Sequence, residues 1–198
     1  MGSKPSYPLS LKPATPRALA RGSSHNKRIP INEKERQKRL ENCKTRYPYY
    51  GANGQVGWID QFIFDEDLIL IAEDGGFFGS KTKPITYMIS GKTWVNNHAH
   101  VLRAKNNCRL KWLNYSLMFY NIGEYVGGTT RLKLNKSDAE SLPISIPPVA
   151  IQDEIISKLD EISSNISKIE EHLSKQIKTA ELLPNAVLKK AFCGELVN

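Results

Sequence analysis

His98 and His100 are the first side chains in this sequence whose type and spacing could do chemistry. On a β-strand, residues i and i+2 share a face, so both imidazoles could reach one metal ion. No third ligand stands at a recognisable spacing, and the plainer reading, favoured here, is a pair of polar loop or strand residues. A third reading is hydrogen bonding from Asn96, Asn97, His98 or His100 to base edges or phosphates of a nucleic acid. Glu73 and Asp74 with Lys81 are the residue types of a metal-dependent nuclease, but their spacing is unspecific. Arg131 is the sharpest single candidate. It follows Gly127-Gly128-Thr129-Thr130, and its planar fork suits both a phosphate and a guanine edge.

Other chemistries are missing their residues. There is no Gly-rich phosphate loop with a following Lys and Ser/Thr, no G-x-G-x-x-G after a strand and no G-x-S-x-G. An amino-methyltransferase usually carries an Asn-Pro-Pro-aromatic run; here the run is Ile146-Pro147-Pro148-Val149. The three cysteines, Cys43, Cys108 and Cys193, form no C-x-x-C pair. A zinc ribbon and a redox dithiol are therefore excluded, and a reducing cytosol is the expected compartment. No apolar run approaches the roughly 20 residues of a membrane span, and the N-terminus lacks a signal-peptide core. The expectation is a cytoplasmic protein with no membrane contact.

The elements that must position these residues fall into three parts. The chain has 198 residues and a formal net charge of +8. Residues 1–50 carry 12 Lys/Arg against 3 acids, residues 51–150 carry 10 against 9, and residues 151–198 carry 6 against 8. The basic excess therefore sits in the first quarter, as in an arm for an anionic partner. Residues 1–30, with Pro5, Pro8, Pro13, Pro16 and Gly22-Ser23-Ser24, read as a basic irregular segment. Glu33 to Asn42 could form a short helix with almost no apolar face, exposed or docked on a partner.

The second part, about 47–148, reads as mostly strand. Gly51-Ala52-Asn53-Gly54 is a turn between Tyr47–Tyr50 and Val56–Ile59. Leu68–Ala72 is a continuous apolar run suited to a buried strand. Ile85–Ile89, Trp94-Val95 and Val101-Leu102 are further strand pieces. Leu110–Ile122 is helical, and Leu142–Ile146 is a strand closed by Pro147-Pro148. In the third part Ile155, Leu159, Ile162, Ile166, Ile169 and Leu173 are spaced 4, 3, 4, 3, 4, the 3.5-residue repeat of a coiled-coil seam. A helix over about 149–181 would run roughly 45–50 Å. Pro184 should break or kink it, leaving a short helix over Ala186–Phe192.

Several segments, in order, carry a resemblance. They are Pro48-Tyr49-Tyr50-Gly51-Ala52-Asn53-Gly54 with Gly57-Trp58-Ile59-Asp60, then Ile71-Ala72-Glu73-Asp74-Gly75, then Val95 to Leu102. They continue with Gly128-Thr129-Thr130 and Leu134, Leu142 to Pro148, Gln152, and Leu188 with Lys190-Ala191-Phe192-Cys193-Gly194-Glu195-Leu196. This succession resembles the DNA-specificity subunit of type I restriction-modification systems, over about residues 30–198. The resemblance implies an α+β chain: a globular, mostly-β target-recognition domain over 31–148, followed by a long C-terminal coiled-coil helix within 149–198. A full-length subunit of that family has this unit twice, so this chain resembles a half-subunit.

What the resemblance implies for function is recognition of double-stranded DNA without catalysis or cofactor in this chain. Separate methyltransferase and restriction subunits would be its partners. An exposed seam from Ile155 to Leu173 would favour an antiparallel homodimer, whose two domains read a bipartite palindrome. Phosphate contacts are expected from Lys81, Lys83, Lys105, Arg131 and Lys133. Contacts to bases or groove edges are expected from Asn53, Gln55, Asn97, His98 and Thr130. The alternatives are a coiled-coil adaptor that binds protein, and a small metal-dependent nuclease built on His98 and His100.

Overall fold

The computed structural model describes residues 19–20, 31–41, 43–105 and 107–194. Its strands are β1 (Leu19–Ala20), β2 (Tyr47–Gly51), β3 (Gly54–Ile59), β4 (Phe64–Asp65), β5 (Leu68–Ala72), β6 (Thr86–Ile89), β7 (Lys92–Val95), β8 (Ala99–Ala104), β9 (Val126–Gly127) and β10 (Lys133–Leu134). Its helices are α1 (Glu33–Glu41), α2 (Leu110–Met118), α3 (Lys136–Ser141) and α4 (Val149–Phe192). The chain divides into two compact units, Met1–Asp153 and Glu154–Asn198. The architecture is α+β, a mostly-β domain followed by a long helix.

In the first unit β5 explains the arrangement. Its five residues are all fully buried. Ile69 and Ile71 face a cluster that includes Leu113 and Leu117 of α2. Leu68 and Leu70 face Phe64, Ile89 and Val95. A strand covered on both faces reads as an unbroken apolar run rather than an alternation. Antiparallel partners flank it, in the order β1-β8-β5-β6. The second sheet has the order β3-β2-β7-β4, with β2 and β7 parallel through Tyr49↔Trp94 and Tyr50↔Val95. The hairpin of β2 and β3 turns at Ala52-Asn53, and a short hairpin of β9 and β10 holds the loop with Arg131.

Three expectations require correction. The polar helix α1 docks on the chain's own second sheet through Arg36, Arg39 and Leu40, while Glu33, Lys34, Glu35, Gln37, Lys38 and Glu41 stay exposed. Arg36 is buried: it donates to the Trp58 carbonyl at 2.8 Å, pairs with Glu33 and lies over the Tyr49 ring. Gly57, at φ +159, makes room, since a Cβ there would lie 2.2 Å from Arg36 Nη1. Arg39 adds an ion pair to Asp60 at 2.7 Å and stacks over Trp94. Cationic stems packed on aromatic faces do here what an apolar stripe usually does.

Leu142–Ile146 is extended but belongs to no sheet. Leu142 and Ile144 are buried while Pro143 and Ser145 are exposed, so the alternation is real. Prolines at 143, 147 and 148 remove ladder donors, and side chains take the carbonyls instead: Trp112 Nε1 donates to Ser145 at 3.0 Å and the Tyr120 hydroxyl to Pro143 at 3.3 Å. Finally, α4 runs unbroken through Pro184 to Phe192, with no separate short C-terminal helix. Proline removes one amide donor, that to the Ala180 carbonyl, while the turns on either side keep theirs.

The start of α4 belongs to the first unit and is pinned by one side chain. Gln152 has no exposed surface. Its Oε1 accepts from the Arg109 amide at 2.7 Å, and its Nε2 donates to the carbonyls of Asn107 at 2.9 Å and Pro147 at 2.7 Å. Arg109 and Asp153 form a two-pronged ion pair beside it, at 2.8 and 2.9 Å. That guanidinium holds the Asp153 carboxyl below its ordinary pKa.

In the second unit the helix carries i,i+4 pairs, Glu154–Lys158 and Glu171–Lys175, each at 2.7 Å. The seam residues Ile162, Ile166, Ile169 and Leu173 are 49–59% exposed, whereas Ile155 and Leu159 are half-buried. Among the described residues no helix is long and apolar enough to cross a membrane. Apart from Leu19–Ala20, which pairs with Ala104 and Arg103, the expected basic segment 1–30 lies outside the described residues.

Candidate functional site

The C-terminal end of β5, the N-terminal ends of β6 and β8, and the tip of the β2–β3 hairpin converge. β8 runs antiparallel to β5, so Ala99 pairs with Ala72 and the turn Asn96-Asn97-His98 arrives where β5 releases Glu73 and Asp74. β7 runs parallel to β2 and feeds this turn, and the Asn96 amide donates to the Tyr50 carbonyl at 2.9 Å. The Asn96 side chain closes the turn by accepting from the His98 amide at 2.9 Å. Asparagine before such a turn satisfies the backbone locally. Tyr87 fixes the hairpin tip, its hydroxyl donating to the Gly51 carbonyl at 2.5 Å. Burial pushes the Tyr87 phenol far above its ordinary pKa, so it remains a neutral donor.

These elements line an open groove of about 270 Å³, walled by the hairpin tip Gly51–Val56, Asn96, His98 and Arg131. Asp74 joins its sides. Its carboxylate lies 2.9 Å from Arg131 Nη2, and both its oxygens lie 3.1 Å from His98 Nδ1. Asn53 donates to the Gly75 carbonyl at 2.9 Å, which ties the hairpin to the same segment. Gly75 sits at φ +60, and a Cβ there would lie 2.6 Å from Arg131 Nη2. Only glycine both adopts this left-handed backbone at little cost and lets the guanidinium lie across it. Next along the chain, Glu73 takes Lys133 at 3.1 Å.

Of the expected contact residues, Asn53, Gln55, His98 and Arg131 line the groove together. Asn97 and Thr130 are exposed in the adjoining turns, and Lys133 is paired with Glu73 one residue from Asp74. Lys81 and Lys83 lie on the β5–β6 loop at the same end of the sheet, with Lys83 over the Phe77 ring at 4.7 Å. Lys105 lies elsewhere. It follows β8 at its far end, roughly 20 Å from His98 at about 3.3 Å per residue. Sequence reasoning named Asn96 among the residues that could hydrogen-bond a nucleic acid but did not carry it into the expected contact set, and it missed Asp74 as the shared partner; the signal for Asn96 was its place at the head of a turn.

The histidines do not act as a pair. His100 is buried, with Nε2 2.8 Å from the Leu134 carbonyl and Nδ1 3.9 Å from Glu73. His98 is exposed and faces Asp74. Among the described residues no cluster of three or more His, Cys, Asp or Glu could hold a metal ion. What the groove offers is a concave set of amide, imidazole and guanidinium donors and acceptors on a rigid sheet end, suited to polar edges of a ligand.

Comparison with known proteins follows the same line. Residues 25–179 match the family model for the type I restriction modification DNA specificity domain. A type I restriction enzyme specificity subunit of Haemophilus influenzae is 34% identical over 121 residues, 61% of this chain and 31% of that one. The EcoprrI specificity subunit of Escherichia coli is 22% identical over 126 residues, 62% and 30% of the respective chains. The matched stretch thus spans under a third of these relatives. Two solved structures share the fold. A chain from a type I R-M system aligns with a TM-score of 0.60 at 20% identity, covering 78% of this chain and 40% of that one. The S subunit of a type I restriction-modification system from M. genitalium aligns at 0.54 and 19%, covering 85% and 43%.

Proposed function

Because the chain belongs to the type I restriction modification DNA specificity family, we propose that it is a non-catalytic subunit that reads sequence in double-stranded DNA. The observation that carries this reading is the groove, where Asn53, Gln55, Asn96, His98 and Arg131 meet at one sheet end. Hydrogen-bonding side chains on short turns of a rigid scaffold are what base-edge readout needs, and nearby lysines such as Lys81 and Lys83 suit phosphates. Catalysis falls to other subunits: this chain selects the site and holds methyltransferase and restriction subunits on it, in the cytosol.

The seam of α4 extends the proposal. Ile155, Leu159, Ile162, Ile166, Ile169 and Leu173 pair with the same residues of a second copy, antiparallel, as closed twofold symmetry favours. The exposure of Ile162, Ile166, Ile169 and Leu173 supports this. Two identical domains then read a bipartite palindrome whose spacer is set by helix length.

The test is selection and sequencing of bound molecules from randomised duplex DNA at near-physiological salt, with the chain alone and with the methyltransferase subunit of the same system. A bipartite palindrome with a fixed spacer is expected. Failure to enrich any motif in either condition would overturn the reading and favour the protein-binding adaptor.

A further inference from the structure

The geometry points to Arg131 as a reader of guanine in the major groove, held for that task by Asp74 as a positioning residue. This rests on the DNA-reading function proposed above and assigns a specific role within it. Arg131 alone would serve a phosphate as well as a base. Its surroundings decide between them. The Asp74 carboxylate, 2.9 Å from Nη2, offsets the guanidinium charge and would repel a phosphate brought to the same spot. It leaves the guanidinium's remaining donors directed by a fixed partner. A base edge carries acceptors without a full negative charge, so it can meet such an arginine where a phosphate is opposed.

The backbone serves the same end. Gly75 provides the bare surface on which the guanidinium lies, and Asn53 locks the Gly75 carbonyl to the hairpin. His98 Nδ1, 3.1 Å from both Asp74 oxygens, gives that carboxylate a second contact. An arginine gripped by a carboxylate and laid on glycine loses little conformational freedom when it meets O6 and N7 of guanine, the acceptor pair that matches its fork. Lys81 provides the contrast. It is exposed on the β5–β6 loop and has no ion pair among the described residues, so it is left for phosphate.

Two substitutions separate this role from a merely structural one, read by the same selection on randomised duplex DNA together with salt titrations of binding. Arg131→Lys keeps the charge and loses the fork. It is expected to flatten the preference for guanine at one position of each half-site by about 5- to 150-fold while leaving the salt slope unchanged. Asp74→Asn removes the restraining charge. It is expected to weaken the same guanine preference yet bind random DNA more tightly, with the slope of log affinity against log salt steeper by up to about one. Thermal melts of both variants check folding. If the wild-type motif survives at every position in both variants, or if Arg131→Lys alters only overall affinity, the guanine assignment is overturned while the DNA-reading function stands. If the wild-type chain enriches no motif, both fall together.

Discussion

Leu68–Ala72 in β5 and Ile162–Leu173 in α4 draw on the same aliphatic side chains, yet the first set has no exposed surface and the second is about half exposed. The difference lies in what stands between them in sequence. β5 has no polar residue in its run, so both faces need cover, and α2 on one side and the second sheet on the other provide it. In α4 the apolar positions alternate at four and three among Ser, Asn, Lys and Glu, which makes one narrow stripe on a long rod. A run without gaps finds its complement within its own domain. A stripe at 3.5 residues is the pattern by which one helix packs on another, and within residues 154–194 the only helix is the one that bears it.

The largest effect is expected at β5. Leu70→Ala opens a cavity where both neighbouring strands are fixed, and a loss of about 2–5 kcal/mol is expected in denaturant unfolding of the whole chain. A loss below about 1 kcal/mol would mean that β5 is less tightly enclosed than its burial indicates. Next comes the junction. Gln152→Leu conserves bulk but leaves the Arg109 amide and two carbonyls without their partner, at a cost of about 2 kcal/mol in the same measurement. If Gln152→Leu is neutral, water has taken over these bonds and the glutamine does not fix the helix entrance.

Legibility in the sequence followed the same divide. The β5 run, the hairpin at Gly51–Gly54 and the long helix were readable because each is set by local period or turn chemistry. Helix α1 was readable as a helix but not as a docked one, since Arg36 and Arg39 gain their cover from Tyr49, Trp58 and Trp94, residues distant in sequence. Leu142–Ile146 showed the alternation of a strand without the donors of one. For the groove, the types and loop positions of Asn53, Gln55, His98 and Arg131 were visible, but Asp74 could not be recognised as the partner of two of them until β8 and the β9–β10 hairpin were placed beside it. Lys105 shows the converse. Its charge and loop position were legible, but which end of β8 faces the groove was not.

A smaller effect is expected at the far end of the sheet. Arg103 forks onto Glu66 at 2.6 and 2.8 Å, and that hydrogen-bonded guanidinium holds the Glu66 carboxyl below its ordinary pKa. A carboxyl with a depressed folded pKa adds stability above its unfolded value, near 4.3, and loses it as pH falls through the folded value. Glu66 is 42% exposed, so solvent screens the pair and its share is below about 1 kcal/mol. In Glu66→Gln the stability difference from wild type should therefore be present at pH 7 and shrink on acidification below about pH 4. A difference that stays constant with pH would remove the charge from the explanation.

The smallest expected change in domain stability comes from the seam. Ile166→Ser removes an apolar side chain that is 51% exposed. Ile166 belongs to none of the buried clusters of the first unit, so the unfolding free energy of that unit should move by less than about 0.5 kcal/mol. Self-association should respond instead. If a second copy covers Ile162, Ile166 and Ile169, replacing the central one with serine forfeits about 1.5–3 kcal/mol per buried side chain, and twofold symmetry applies the loss twice. Sedimentation equilibrium should then show dimer dissociation at concentrations at least about a hundredfold higher than for wild type, with the melt of the domain unchanged. An unchanged dimer would place the association surface elsewhere, whereas a destabilised first unit would mean that the stripe on α4 is covered by its own chain after all.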